Sequence, residues 1–157
     1  MLRAQIKIRA ALPGDLPELL NHMRSLAEFE FYISEFRVDE KELLERAFGK
    51  TPECYIFVAE SGSRIVGYAV TLLTLFTYDL KSTAVLKELF VEKNARGKGT
   101  GSALFRHAAE WALNQGSGRL KWDVLRGNDD AEKFYQRHGG RPDIKWIPYI
   151  MDQDELK

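Results

Sequence analysis

Arg96-Gly97-Lys98-Gly99-Thr100-Gly101 decides how this sequence is read. The run from Ala84 to Val91 before it has the composition of a strand. After it, Leu104, Ala108, Trp111 and Ala112 recur at helical spacing. Strand, glycine loop and helix in that order place bare backbone amides at a helix N-terminus, which is a phosphate site. Glycine suits such a loop because the backbone must approach an anion closely and visit positive φ. Arg96 and Lys98 add positive charge. The spacing excludes the commoner nucleotide loops, since no Gly-Lys-Ser/Thr ending follows four intervening residues, and Ser102 stands where a dinucleotide fingerprint needs glycine.

Working outward, Ile6 to Arg9 alternates apolar and polar as a strand does, and Pro13-Gly14 turns the chain into Asp15, with Glu18 at capping-box spacing. Leu16, Leu19, Leu20, Met23, Leu26 and Ala27 then form one helical stripe to about Glu30. Asp39 with Glu42 opens a second helix that carries Leu43, Leu44, Ala47 and Phe48 and stops at Gly49. Tyr55 to Glu60 and Arg64 to about Phe76 read as an antiparallel hairpin turned at Ser61-Gly62-Ser63. Leu120 to Leu125 reads as a strand, and Asn128 or Asp129 caps a helix through Phe134 and Tyr135 to Gly139-Gly140. Trp146 to Met151 reads as a last strand, in which Pro148 demands an edge or a bulge.

The 157 residues suffice for one domain, read as 1–157, with a core of its own. Lys plus Arg and Asp plus Glu balance at 23 each, so no global field draws the chain to nucleic acid or an anionic membrane. The lone Cys54 cannot form an internal disulfide and is read as a packed strand residue. No metal-ligand spacing surrounds it or His22, His107 and His138. The start, Met1 to Lys7, lacks an apolar stretch of signal-peptide length, and no apolar run is long enough to span a membrane, which points to the cytoplasm.

Arg96-Gly97-Lys98-Gly99-Thr100-Gly101 resembles the R/Q-x-x-G-x-G/A motif of the GNAT acetyltransferases. A second segment, Asn128, Ala131, Phe134, Tyr135 and Gly139, is similar to their N-x-x-A-x-x-F-Y-x-x-x-G motif. Ser25 to Phe31, Glu40 to Leu44, Phe76 to Asp79, Leu86 to Val91 and Trp146 resemble the branch that contains the spermidine/spermine and thialysine acetyltransferases. The resemblance covers nearly the whole chain. It implies an α/β fold with helices on both faces of a mostly antiparallel, twisted sheet, split between the strand 84–91 and the strand 120–125 to admit acetyl-coenzyme A. It also implies a homodimer, with the tail from Trp146 near the second subunit.

By the same resemblance, backbone groups from Arg96 to Ser102 (Arg96, Gly97, Lys98, Gly99, Thr100, Gly101 and Ser102) hold the pyrophosphate of the cofactor. Asn128, Ala131 and Phe134 flank it, and the backbone of Leu89, Phe90 and Val91 pairs with its pantetheine arm. Tyr135 matches the family's general acid, which protonates the leaving thiolate. Phe29, Glu30, Asp79 and Trp146 match positions that bind a polyamine, carboxylates for ammonium groups and aromatics for methylenes.

One position departs from the relatives. Where the branch carries Glu-Asp on the strand before the loop, this chain carries Lys87-Glu88, so a lysine replaces the carboxylate usually assigned as base. Glu88 is then the candidate base, with a water chain as the alternative. Alternate strand residues face opposite sides, so Glu88 can take the place of residue 87 only through a bulge. Lys87, and Ile144 where relatives are acidic, argue against a highly cationic acceptor such as spermine. They favour a shorter or zwitterionic primary amine, for instance a lysine-like amino acid whose carboxylate pairs with Lys87. A protein or peptide acetyltransferase and a non-catalytic acyl-coenzyme A sensor are the other readings.

Overall fold

A computed structural model describes residues 5–157. Residues 1–4, on which the signal-peptide reading partly rests, lie outside the described residues. Contacts divide the chain at Asp123/Val124 into two compact units.

The first unit holds a five-stranded sheet in sequential order: β1 (Ile6–Ala10), β2 (Tyr55–Ser61), β3 (Arg64–Thr74), β4 (Thr83–Val91) and β5 (Arg119–Lys121). The first three pairings are antiparallel and β4 with β5 is parallel. Helices α1 (Leu16–Phe29) and α2 (Glu40–Phe48) lie between β1 and β2 in sequence, and α3 (Thr100–Asn114) follows β4.

Strand alternation sorts the core into two layers. Ile56, Val58, Tyr68, Val70 and Phe90 join Leu16, Leu19, Leu20, Met23 and Leu26 of α1 and Leu43 of α2 in one buried cluster. On the opposite face Phe57 meets His107 and Trp111 of α3, with ring centroids 4.7 and 5.9 Å apart. Gly67 lets α3 sit close there: a Cβ would stand 2.7 Å from the Phe90 carbonyl oxygen and 3.2 Å from Leu104 Cδ1. The mixed α/β architecture with helices on both faces is as expected.

Four local expectations are corrected. Asp15 does not cap α1, because Arg9 takes both its carboxylate oxygens at 2.7 and 2.9 Å, and Glu18 accepts instead from the Ile65 amide. An ion pair with Arg9, six residues back on β1, replaces the cap here, whereas Asp39 does cap α2 by accepting from the Glu42 amide. The strand expected over 120–125 is only Arg119–Lys121, since the ladder ends at Val85 opposite Lys121. Cys54 precedes β2 instead of lying within it, though it does pack against the α1 cluster. Trp146 to Met151 forms no strand, and Trp146, Ile147, Tyr149, Ile150 and Met151 are all exposed. Apolar composition sets a preference for extended chain, but a strand needs a partner edge, and Pro148 withholds one donor.

The second unit, residues 124–157, contains α4 (Asp129–Arg137). Asn128 is its cap, with Oδ1 accepting from the Ala131 amide at 3.2 Å.

Candidate active site

The register of β3 against β4 slips at Lys87-Glu88. Val70 pairs with Glu88 but Thr71 pairs with Leu86, so Lys87 is an extra, unpaired residue, a β-bulge. The bulge resets the alternation, so that Glu88 shares a face with Val70, Tyr68 and Phe90, the face that α1 covers.

On that face the Tyr68 hydroxyl donates to Glu88 Oε2 at 2.7 Å. Tyr68 is 0% exposed, and a buried phenol requires an acceptor. Glu88 is only partly buried. Burial pushes its carboxyl above the usual carboxylate range. The Tyr68 hydrogen bond pulls it back, the charge of Glu30 raises it further and Lys87 lowers it. Glu30, just past the end of α1, is likewise raised by burial and lowered by Lys87. Tyr32 is pushed up to about 12 by burial and by the charges of Glu88 and Glu30. Cys54 is raised by burial first and then by Glu88. Two carboxylates and one ammonium thus share a field inside a partly apolar setting, where charges act more strongly than in water.

The glycine loop begins with a 3-10 turn at Lys93–Ala95 and ends at Gly99, the residue before α3. Gly97 and Gly99 have φ of 70° and 87°, left-handed values that favour glycine. Thr100, Gly101 and Ser102 occupy the first turn of α3, where amides have no acceptor within the helix, and no acidic side chain stands in that turn. Thr100 is fully buried and its hydroxyl bonds the Ala95 carbonyl at 3.3 Å, which ties the helix start to the turn. Arg96 Nε and Lys98 Nζ are folded back on the carbonyls of Val91 and Asn94, both at 2.7 Å.

Past Val85, β4 has no ladder partner on its β5 side among the described residues. Leu89, Phe90 and Val91 therefore pair with β3 alone, leaving backbone edge groups for a ligand. A loop of bare amides at a helix N-terminus beside a half-open strand edge has the chemistry to suit a phosphate-bearing molecule with an amide arm. A cleft of about 500 Å³ opens beside it, lined by Asn21, Ser25 and Phe29 of α1 and by Phe90, Lys93 and Arg96.

Phe29, Glu30, Lys87 and Glu88 are therefore gathered around the end of α1 and the bulge. Asp79 is engaged elsewhere, in the loop between β3 and β4. It accepts from Arg119 Nη2 at 2.9 Å and from the Thr77 hydroxyl at 2.8 Å, and the Arg119 guanidinium lies 4.9 Å from the Tyr78 ring. In the second unit Phe134 and Tyr135 are partly buried on α4 with ring centroids 5.2 Å apart, while Trp146 is exposed, with Lys145 Nζ 4.9 Å from its ring. Sequence reasoning missed Tyr68 and Tyr32. Tyr68 sits in an apolar strand like any core residue, and only the register across the bulge reveals its partner.

This fold and loop define a class of acyl-group transferases, and comparison with known proteins makes the class specific. Residues 20–140 match the Acetyltransferase (GNAT) family. The chain belongs to that family and is an acyltransferase. It is similar to thialysine N-epsilon-acetyltransferase of Bos taurus, 31% identical over 146 residues that cover 88% of this chain and 85% of the relative. The Mus musculus counterpart is 30% identical over 165 residues, covering 98% and 96%. Among solved structures, a putative acetyltransferase from Agrobacterium tumefaciens superposes with a TM-score of 0.77 at 26% identity, covering 94% of this chain and 99% of that one. No helix among the described residues is long and apolar enough to cross a membrane, and no group of three or more His, Cys, Asp or Glu among them could hold a metal.

Proposed function

We propose that this single-domain protein transfers an acetyl group from acetyl-coenzyme A to the primary amine of a small molecule, a diamine or a lysine-like amino acid, by direct attack. The observation that carries this reading is Glu88, turned by the Lys87 bulge into a partly apolar site shared with Glu30, one strand end from the glycine loop. The thialysine acetyltransferases to which the chain is similar support an amino-acid acceptor.

When bound, the cofactor supplies an activated thioester. The amides of Gly97 to Ser102 receive the pyrophosphate, with Arg96 and Lys98 adding charge, and Asn128, Ala131 and Phe134 flank it by motif. Backbone groups of Leu89 to Val91 take the pantetheine arm. Glu88 accepts the proton of the attacking ammonium, for which a raised carboxyl is the better base. As the new N–C bond forms and the C–S bond breaks, the Tyr135 hydroxyl, by motif the general acid, would give its proton to the departing sulfur, and the second proton shed by the acylated nitrogen would return to the Tyr135 phenolate through solvent.

Glu30 and Phe29 receive the cationic and methylene parts of the acceptor. Lys87 pairs with a carboxylate and disfavours a polycation. Asp79 and Trp146 serve the acceptor in the assembled protein, which we read as a cytoplasmic homodimer with the exposed tail from Trp146 near the second subunit.

A thiol-release assay with acetyl-coenzyme A and a panel of spermidine, lysine, thialysine and peptides tests the whole reading. We expect the highest kcat/KM with an amino acid. Preference for spermidine would sink the acceptor assignment. Turnover of peptides alone would make the protein a peptide acetyltransferase, and cofactor binding with no turnover would make it a sensor.

A further inference from the structure

The contact between Tyr68 and Glu88 reaches beyond packing. Tyr68 stands opposite Phe90, two register positions from Val70 and Glu88, so its side chain and that of Glu88 are diagonal neighbours on one face. Its ring lies 5.9 Å from the Phe90 ring and within the α1 cluster, which leaves the hydroxyl little freedom. Of the two Glu88 carboxylate oxygens only Oε2 accepts a hydrogen bond from the described residues, and no buried side-chain oxygen among them lacks a partner. Oε1 is therefore not sealed in the core.

We propose that Tyr68 is a positioning residue: its hydroxyl grips Oε2 of Glu88 and fixes the carboxylate so that Oε1 takes the proton of the acceptor amine, directly or through a water. The inference rests on Glu88 as the base. A residue that follows a bulge has less register to hold it than one in a regular ladder, so an anchored side chain needs a second restraint. The phenol supplies it and stabilises the carboxylate form, as Lys87 does from the same strand. Glu30 beyond α1 opposes them, and Tyr32 and Cys54 complete the titratable surroundings.

Replacing Tyr68 by Phe removes the grip and keeps the ring. We expect kcat to fall roughly tenfold with little change in KM, and the acid limb of the kcat profile to move to higher pH. The Glu88 side-chain carboxyl, followed by 13C NMR, should titrate at higher pH in Tyr68→Phe than in wild type. On a Glu88→Gln background the same change should cost almost nothing.

An unmoved Glu88 midpoint, or an equal loss on both backgrounds, overturns the inference. Full activity of Glu88→Gln sinks the base assignment and this inference with it, whereas an impaired Glu88→Gln with an unmoved midpoint sinks this inference alone. If Tyr68→Phe does not fold, difluorotyrosine at position 68, a stronger donor, must lower the Glu88 midpoint, and an unchanged one overturns the proposal.

Discussion

Thr71 stands opposite Leu86, not Lys87. That slip of one residue separates two roles that adjacent strand positions would otherwise hold on opposite faces. Leu86 is buried, Lys87 is exposed, and Glu88 enters the α1 face beside Tyr68. The chain thus keeps a carboxylate at the site while adding a cation next to it.

Glu88 should show a trade of stability for activity. Its folded-state carboxyl is raised above the unfolded value, mainly by burial, so the folded protein holds the proton more tightly. Stability contributed by that proton is complete below the unfolded value and is lost as pH rises through the folded one. Glu88→Gln removes this slope. Its melting temperature should match wild type near pH 4 and exceed it at pH 8, while kcat drops about 100-fold. A parallel pair of melting curves across pH would contradict this.

Lys87 should set acceptor charge. Lys87→Ala leaves Glu30 and Glu88 without their neighbouring ammonium, and a nearby unit charge is worth about 1 kcal/mol in a solvated site. The ratio of kcat/KM for spermidine over lysine should rise roughly fivefold. Steady-state kinetics with both amines measures it, and an unchanged ratio removes Lys87 from specificity.

Tyr135→Phe should depress turnover with basic leaving thiolates and leave cofactor affinity intact, because only the proton donor is lost. Calorimetric binding of coenzyme A beside single-turnover acetylation separates the two. Wild-type turnover across pH would end the assignment.

Gly67→Ala should destabilise the protein by about 1–3 kcal/mol, since the new methyl meets the Phe90 carbonyl oxygen at 2.7 Å, a backbone atom that cannot rotate away. The shift pushes on β4 itself, so the cofactor's KM should rise as well. Thermal denaturation with kinetics on the folded fraction checks both effects.

Much of the site could be read locally. A glycine loop between strand and helix declares itself because three glycines at fixed offsets bare the amides, and the Asp39 cap is legible because its partner lies three residues on. The Asp15 cap misled although its competitor is also near in sequence: Arg9, six residues back on β1, claims the carboxylate first. The tail from Trp146 has strand composition and no strand, since pairing is a property of two segments.

The sequence by itself therefore determined the family, a glycine loop between strand and helix, and the adjacent opposite charges of Lys87-Glu88, all carried by residues close together in the chain. Tertiary structure decided what that pair of charges means. Only the ladder between β3 and β4 places the extra residue at Lys87, and only the packing of α1 on that face gives Glu88 a buried tyrosine for a partner, because register and burial arise from segments far apart in sequence.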